Sequence, residues 1–228
     1  MIDVKKELTD NIDPKYRDFH SGLVPGAKEI LGVRMPVIRR IAKEICKDDW
    51  RSFLNEPADH YEETMLRALV IANAKMGFPE RMELTKMFIP EIDNWAFCDI
   101  FCGDWKVKGN EDREGLWNYC LELIDTDDEY MMRVSAVMML AHFIDEEHIN
   151  DVLDILTTRY HEGYYYRMGA AWTLSYCYIK FPEITEPMLF VDTLDKDIRN
   201  KAIQKISDSF RVDKDDKDRL KAKKKATT

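Results

Sequence analysis

MMRVSAVMML at 131–140, YRMGAAWTLS at 166–175 and IRNKAIQKIS at 198–207 share one pattern: an arginine, an alanine three residues on, and an apolar residue directly after it. The arginines stand at 133, 167 and 199, so the pattern recurs at steps of 34 and 32 residues. A backward step of 34 from Arg133 lands on Asp99, and a second lands on Met65, with Ala68 three residues later. Each copy lies in a segment with the 3.6-residue apolar period of a helix, and a second helical segment fits between copies. Two helices per unit at this period are the signature of an α-solenoid, in which each pair covers its neighbour's apolar face and the inner helices line a concave surface. The tetratricopeptide pattern has the same period, but its W-x-x-L-G-x-x-Y motif is missing. The expected fold is therefore all-α, an α-solenoid of HEAT-like repeats.

The rest of the chain agrees with that class. Nine Gly and eight Pro fall between helical segments, and no alternating run is long enough for a sheet. One helix opens at Pro36 in PVIRRIAKEIC, where Val37, Ile38, Ile41, Ala42 and Ile45 form one apolar face. Further helices are expected in YEETMLRALVIANAKM, PERMELTKMFI, WAFCDIF, GLWNYCLELI and EEHINDVLDILTTRY. Residues 1–212 read as a single repeat domain, and 213–228 as a charged tail, disordered at its end.

With 228 residues, 45% of them hydrophobic and 34% charged, the chain can bury a sizeable core. MIDVKKELTD has no apolar core region and VSAVMMLAHFI is too short to cross a bilayer, so a cytoplasmic monomer with no membrane partner is expected. Five cysteines lie in apolar segments without C-x-x-C or zinc-finger spacing and read as buried thiols; no metal and no cofactor are expected. The net charge of −9 resides in residues 1–132, while 133–228 balance and 199–225 are locally basic. The run DRLKAKKKATT reads as a solvated tail, with phosphate binding the alternative.

Most catalytic signatures are absent: there is no Gly-rich phosphate loop, no G-x-S-x-G and no H-E-x-x-H. His142, inside an apolar helix, is expected to be a hydrogen-bonded core residue. What remains is NWAFCDIFCGDW at 94–105. On a helix, Trp95, Asp99, Gly103 and Lys106 would share one stripe, with the glycine leaving room for an approaching ligand. Asp99 also occupies the register in which later units place arginines. The structural alternative makes Trp95 core and pairs Asp99 with an arginine such as Arg133; Trp172, after Ala170 and Ala171, has the same alternative as a core indole.

One reaction suits a lone carboxylate between aromatic faces. Ordinary glycoside cleavage uses two carboxyl groups, one of which protonates the leaving group. A purine alkylated at N7 or N3 is already cationic, departs neutral and needs no acid. The oxocarbenium-like sugar left behind can be stabilised by a carboxylate that also orients water, and by indole faces through cation-π attraction. An arginine beside them can hold a phosphate.

Trp95-x-x-x-Asp99, Arg133 in MMRVSAV, Trp172 in GAAWTLSYCYIKFP, and ILGVRMPVIRRIAKE around Arg34, Pro36 and Arg39 together resemble the DNA alkylation repair enzyme family, the HEAT-like-repeat DNA glycosylases. The resemblance spans positions 30 to 182, and the repeat extends it to about 210. It implies a cofactor-free, monofunctional glycosylase that cradles duplex DNA and hydrolyses the glycosidic bond of N3- or N7-alkylated purines, a base-excision repair step. It further implies that Asp99 is the catalytic carboxylate, that Trp95 and Trp172 contact the damaged nucleotide, and that Arg133 holds phosphate. Arg167 and Lys106 are expected to join it in binding DNA, and both indoles are expected to be partly exposed. The acidic composition predicts weak or salt-sensitive binding. Asp93 is read as a helix N-terminal residue facing away, and Asp104 must point away as well. The rival is a HEAT-like protein without catalysis that binds a protein partner on its concave face.

Overall fold

The computed structural model describes residues 2–227, and every regular element among them is helical. In chain order these are α1 (Val4–Thr9), α2 (Pro14–Ser21), α3 (Met35–Ile45), α4 (Trp50–Asn55), α5 (Tyr61–Asn73), α6 (Phe78–Phe88), a single 3-10 turn (Ile89–Glu91), α7 (Trp95–Asp104) and α8 (Gly109–Ile124). There follow α9 (Glu129–His142), α10 (Ile149–Thr158), α11 (Tyr164–Lys180), α12 (Pro182–Met188), α13 (Lys196–Asp208) and α14 (Lys214–Thr227). The fold is all-α and has the organisation of a helical repeat. No helix among the described residues is long and apolar enough to cross a membrane.

The helices gather into two compact units, residues 1–112 and 113–228, and the division falls inside α8. The expectation of one domain over 1–212 placed no boundary there. In the second unit α9, α11 and α13 pack side by side, with α10 and α12 set against α11. These three helices carry the R-x-x-A pattern, and Ala136, Ala170 and Ala202 are buried. Small side chains there let the helices approach closely. Thr173 Oγ1 on α11 donates to the Ala136 carbonyl of α9 at 2.8 Å, and Gly169 leaves room for Arg133, whose Cγ would lie 3.2 Å from an added Cβ. Asp128 and Asp195 cap α9 and α13 by accepting from amides of the first turn.

The first unit is built differently. There α3 packs on α5 and α5 on α7, and the irregular segments are tied down by buried charged side chains. Glu62, 1% exposed, accepts from the amides of Leu31, Gly32 and Val33 at 2.8–3.0 Å. That carboxylate shapes the ILGVRMP segment that feeds α3. Gly32 there has φ +96°, and a Cβ would stand 2.6 Å from the Asp13 carbonyl, so only glycine fits. Arg81, also buried, donates to the carbonyls of Ile71, Ala72 and Ala74, satisfying the C-terminal end of α5.

The segment after 212, expected as a tail, is helical over Lys214–Thr227. Leu220 is fully buried, and Arg219 and Lys223 both reach Glu186 on α12. These contacts lower the Glu186 carboxyl below the ordinary glutamate range, the Arg219 hydrogen bond foremost. A run that reads as solvated charge is thus docked by one leucine and one ion-pair cluster.

Candidate active site and DNA-contact residues

One group of candidate residues lies on α7. Asn94 caps it, its Oδ1 accepting from the amides of Ala96 and Phe97. Trp95 is therefore the first helical residue and Asp99 stands one turn on. Phe97, Cys98, Phe101 and Cys102 are buried and fix the opposite face. That leaves Trp95 and Asp99 both half-buried on the other side. The Trp95 indole N–H donates to the Leu23 carbonyl at 2.9 Å, which sets the plane of the ring. Gly103, a further turn along, is exposed, and a Cβ there would meet nothing within 4 Å.

The expected stripe does not reach Lys106. α7 ends at Asp104 because Trp105 leaves the helix with extended backbone, is 2% exposed, and donates its indole N–H to Thr85 Oγ1 at 3.0 Å. Lys106 lies beyond that break and is exposed. Asp93 stands just before the helix cap, Asn94, whose side-chain amide donates to it at 2.8 Å, and Asp93 is exposed. Asp104 is neutralised by Arg39, 2.7 Å away. Arg34, from the same amino-terminal motif, pairs with Asp13 at 2.8 Å and lies 4.8 Å from the Tyr16 ring centroid.

The remaining candidates lie in the second unit. Trp172 on α11 is half-buried, with Ala170 and Ala171 buried behind it. Its ring meets Tyr176 edge-on at 6.1 Å, and the Lys205 ammonium lies 6.0 Å from its centroid. Arg167 is half-buried, forms an ion pair with Asp197 at 2.7 Å, and lines a cleft of about 250 Å³ with Tyr164, Asn200 and Lys201. Arg133 is placed otherwise than expected. It is 5% exposed and donates Nη1 to the Tyr165 carbonyl at 2.7 Å, so it joins α9 to α11 rather than standing open for phosphate. The equivalent Arg199 is equally buried. The register was legible, but exposure within it alternates with what the next helix offers.

His142 differs too: it ends α9 half-buried, its ring 6.3 Å from that of Phe143 in an edge-on contact, and does not sit in the core. Cys98, Cys102, Cys120 and Cys177 are buried free thiols, and Cys46 is half-buried; burial pushes the Cys177 thiol up to about 12. Among the described residues, ligand-type atoms of three metal-binding side chains converge only at Asp145, Glu147 and His148. Asp145 there is engaged by Arg113 and by the amides of Glu147 and His148.

The arrangement defines a class: a helical-repeat protein that sets a carboxylate one turn from an indole on one half-exposed helix face, with a second indole beside a lysine ammonium in a later repeat. The family model described as DNA alkylation repair enzyme matches residues 4–193, and the chain belongs to that family. Among curated proteins none matches the sequence. Family membership makes this a protein of DNA alkylation repair, with DNA as its substrate.

Proposed function

We propose that the protein is a DNA glycosylase that releases N3- and N7-alkylated purines from duplex DNA by hydrolysis. The observation that carries this reading is the pair on α7: Asp99 and Trp95 half-exposed one turn apart, the helix face open at Gly103, and the neighbouring Asp104 already neutralised by Arg39. A half-exposed carboxylate on the same helix face as an indole held in plane by the Leu23 carbonyl is what departure of a cationic base requires. The C1′–N bond breaks with its electron pair going to the purine, which leaves neutral. Asp99 stabilises the sugar cation and orients a water whose oxygen bonds to C1′, and the water's proton passes to the carboxylate or solvent. An abasic site remains in the strand.

Trp95 and Trp172 contact the damaged nucleotide and its backbone. Arg167 binds phosphate after exchanging Asp197, and Lys106 adds a cation beyond α7. Arg133 supports α11. No acid is needed for the leaving group, so neutral adenine and guanine should not be substrates.

The test is release of free base from duplex DNA containing N7-methylguanine or N3-methyladenine, read by chromatography and mass spectrometry. Release of alkylated but not unmodified purines supports the reading. Absence of release at low salt, with the protein shown folded, overturns it and leaves a repeat protein that serves a partner without catalysis.

A further inference from the structure

The surface around Trp172 does not end at that residue. Tyr176 and Lys180 follow it on α11 at i+4 and i+8, a stripe of about 12 Å at 1.5 Å rise per residue. Tyr176 touches Trp172 edge-on, and the Arg211 guanidinium carbon, from the turn between α13 and α14, lies 4.7 Å from the Tyr176 centroid. Beyond Tyr176 opens a cleft of about 380 Å³, lined among others by Lys180, Arg211, His142 and Asp145. Arg211 and Lys180 are exposed, and neither has a carboxylate within ion-pair distance among the described residues. Lys180 donates to the Ile144 carbonyl, which holds its ammonium at the rim. The one acid of the lining, Asp145, is occupied by Arg113 and by two backbone amides, so it opposes an incoming anion little. Residue 211 also lies outside the stretch matched by the family model.

We infer that Arg211 and Lys180 form a phosphate-binding subsite of the DNA strand that passes Trp172. The inference rests on the proposed reading of Trp172 as a nucleotide contact. A planar guanidinium resting on a tyrosine face keeps its N–H edge available to a phosphodiester, and a cation at the far rim of the same cleft completes a two-sided grip. At 3.4 Å per nucleotide along a strand's axis, 12 Å separates phosphates about three to four nucleotides apart. Arg211 and Lys180 thus hold the strand a few nucleotides from the lesion and do not touch the reacting sugar. This basic grip lies in the half of the chain whose charge balances, which is how a protein of net charge −9 retains duplex DNA.

The experiment measures affinity for an undamaged duplex across a salt series, for the unmodified protein, Arg211→Ala, Arg211→Lys and Arg211→Ala with Lys180→Ala, each checked for helicity by circular dichroism. The expected result is weaker binding to all sequences alike. The slope of log affinity against log salt should become shallower by about one for each cation removed. Arg211→Lys should keep the slope. Arg211 is exposed and rests on the Tyr176 ring, so Arg211→Ala reports on binding even where the double variant loosens the end of α11. An unchanged slope and affinity in Arg211→Ala overturn the subsite, as does a protein that binds no duplex at low salt. If the unmodified protein binds duplex with the expected slope change in the variants yet releases no alkylated base, the subsite stands and the glycosylase reading alone falls.

Discussion

The two compact units build their helical repeats with different joints. In residues 113–228 the joints are small: alanines at equivalent places, a glycine under Arg133, and hydroxyl-to-carbonyl bonds such as Thr173 to Ala136. In residues 1–112 the joints are charged and buried: Glu62 under a loop of three amides, Arg81 over three carbonyls, and Glu63 accepting from the amides of Asp59 and His60. The regular unit repeats its helix contacts, and its buried Arg133 braces one helix on the next rather than a loop. An irregular one, with the long connection between α2 and α3, has loose backbone polar groups to satisfy. The irregular unit also carries Asp99, the one acidic residue in a register that otherwise holds Met65 and three arginines. The proposed catalytic carboxylate sits where the repeat is broken, and Arg167, Lys180 and Arg211, proposed as phosphate contacts, sit in the unit where it is kept.

That contrast can be broken most forcefully at Glu62. Glu62→Ala leaves the buried amides of Gly32 and Val33 and the part-buried one of Leu31 unsatisfied at roughly 1–3 kcal/mol each, so a loss of about 3 kcal/mol or more is expected in denaturant unfolding. Thr173→Val in the other unit should cost about 1 kcal/mol. Equal costs would erase the distinction between braced and self-packed units. On activity, Trp95→Ala and Trp172→Ala should each slow base release about tenfold, in line with cation-π contributions of roughly 0.5–2 kcal/mol. Single-turnover rates decide this, and a rate unchanged in either variant removes that indole from the site.

Gly169→Ala is a finer probe of the small-residue packing. Its Cβ would press on Arg133 at 3.2 Å, and a destabilisation of about 1 kcal/mol is expected, with thermal melting as the readout. The smallest effect concerns pH. Glu186 has a folded carboxyl held below its ordinary value by Arg219 and Lys223, so its contribution is present above the ordinary glutamate range and fades as pH falls through the depressed value. Amide exchange in α14 should therefore quicken on acidification before that in α13. Simultaneous quickening would mean that Glu186 does not hold α14.

The long helices were readable because each carries several turns of apolar period, and the repeat because Arg and Ala recur at fixed offsets. The short helices α1, α2, α4 and α12 are one or two turns long, too brief for a period to emerge. The partial exposure of Trp95 and Trp172 was readable from their helix faces. The fate of Lys106 was not, since α7 stops where Thr85, twenty residues earlier, claims the Trp105 indole. The burial of Arg133 was equally hidden, because it depends on Gly169 and the Tyr165 carbonyl of another helix. In α14 a single leucine, Leu220, outweighs a charge run that by composition belongs to solvent.

The most direct test of the account compares two carboxylates five residues apart on α7. Alkylated-base release from N7-methylguanine duplex should be measured under single turnover for the unmodified protein, Asp99→Asn and Asp104→Asn, with folding confirmed for each. Loss of release by at least about 100-fold in Asp99→Asn is predicted, with near-normal release in Asp104→Asn, whose carboxylate serves Arg39. Equal release from all three, or loss of the fold in Asp99→Asn, would contradict the assignment and make Asp99 a structural charge.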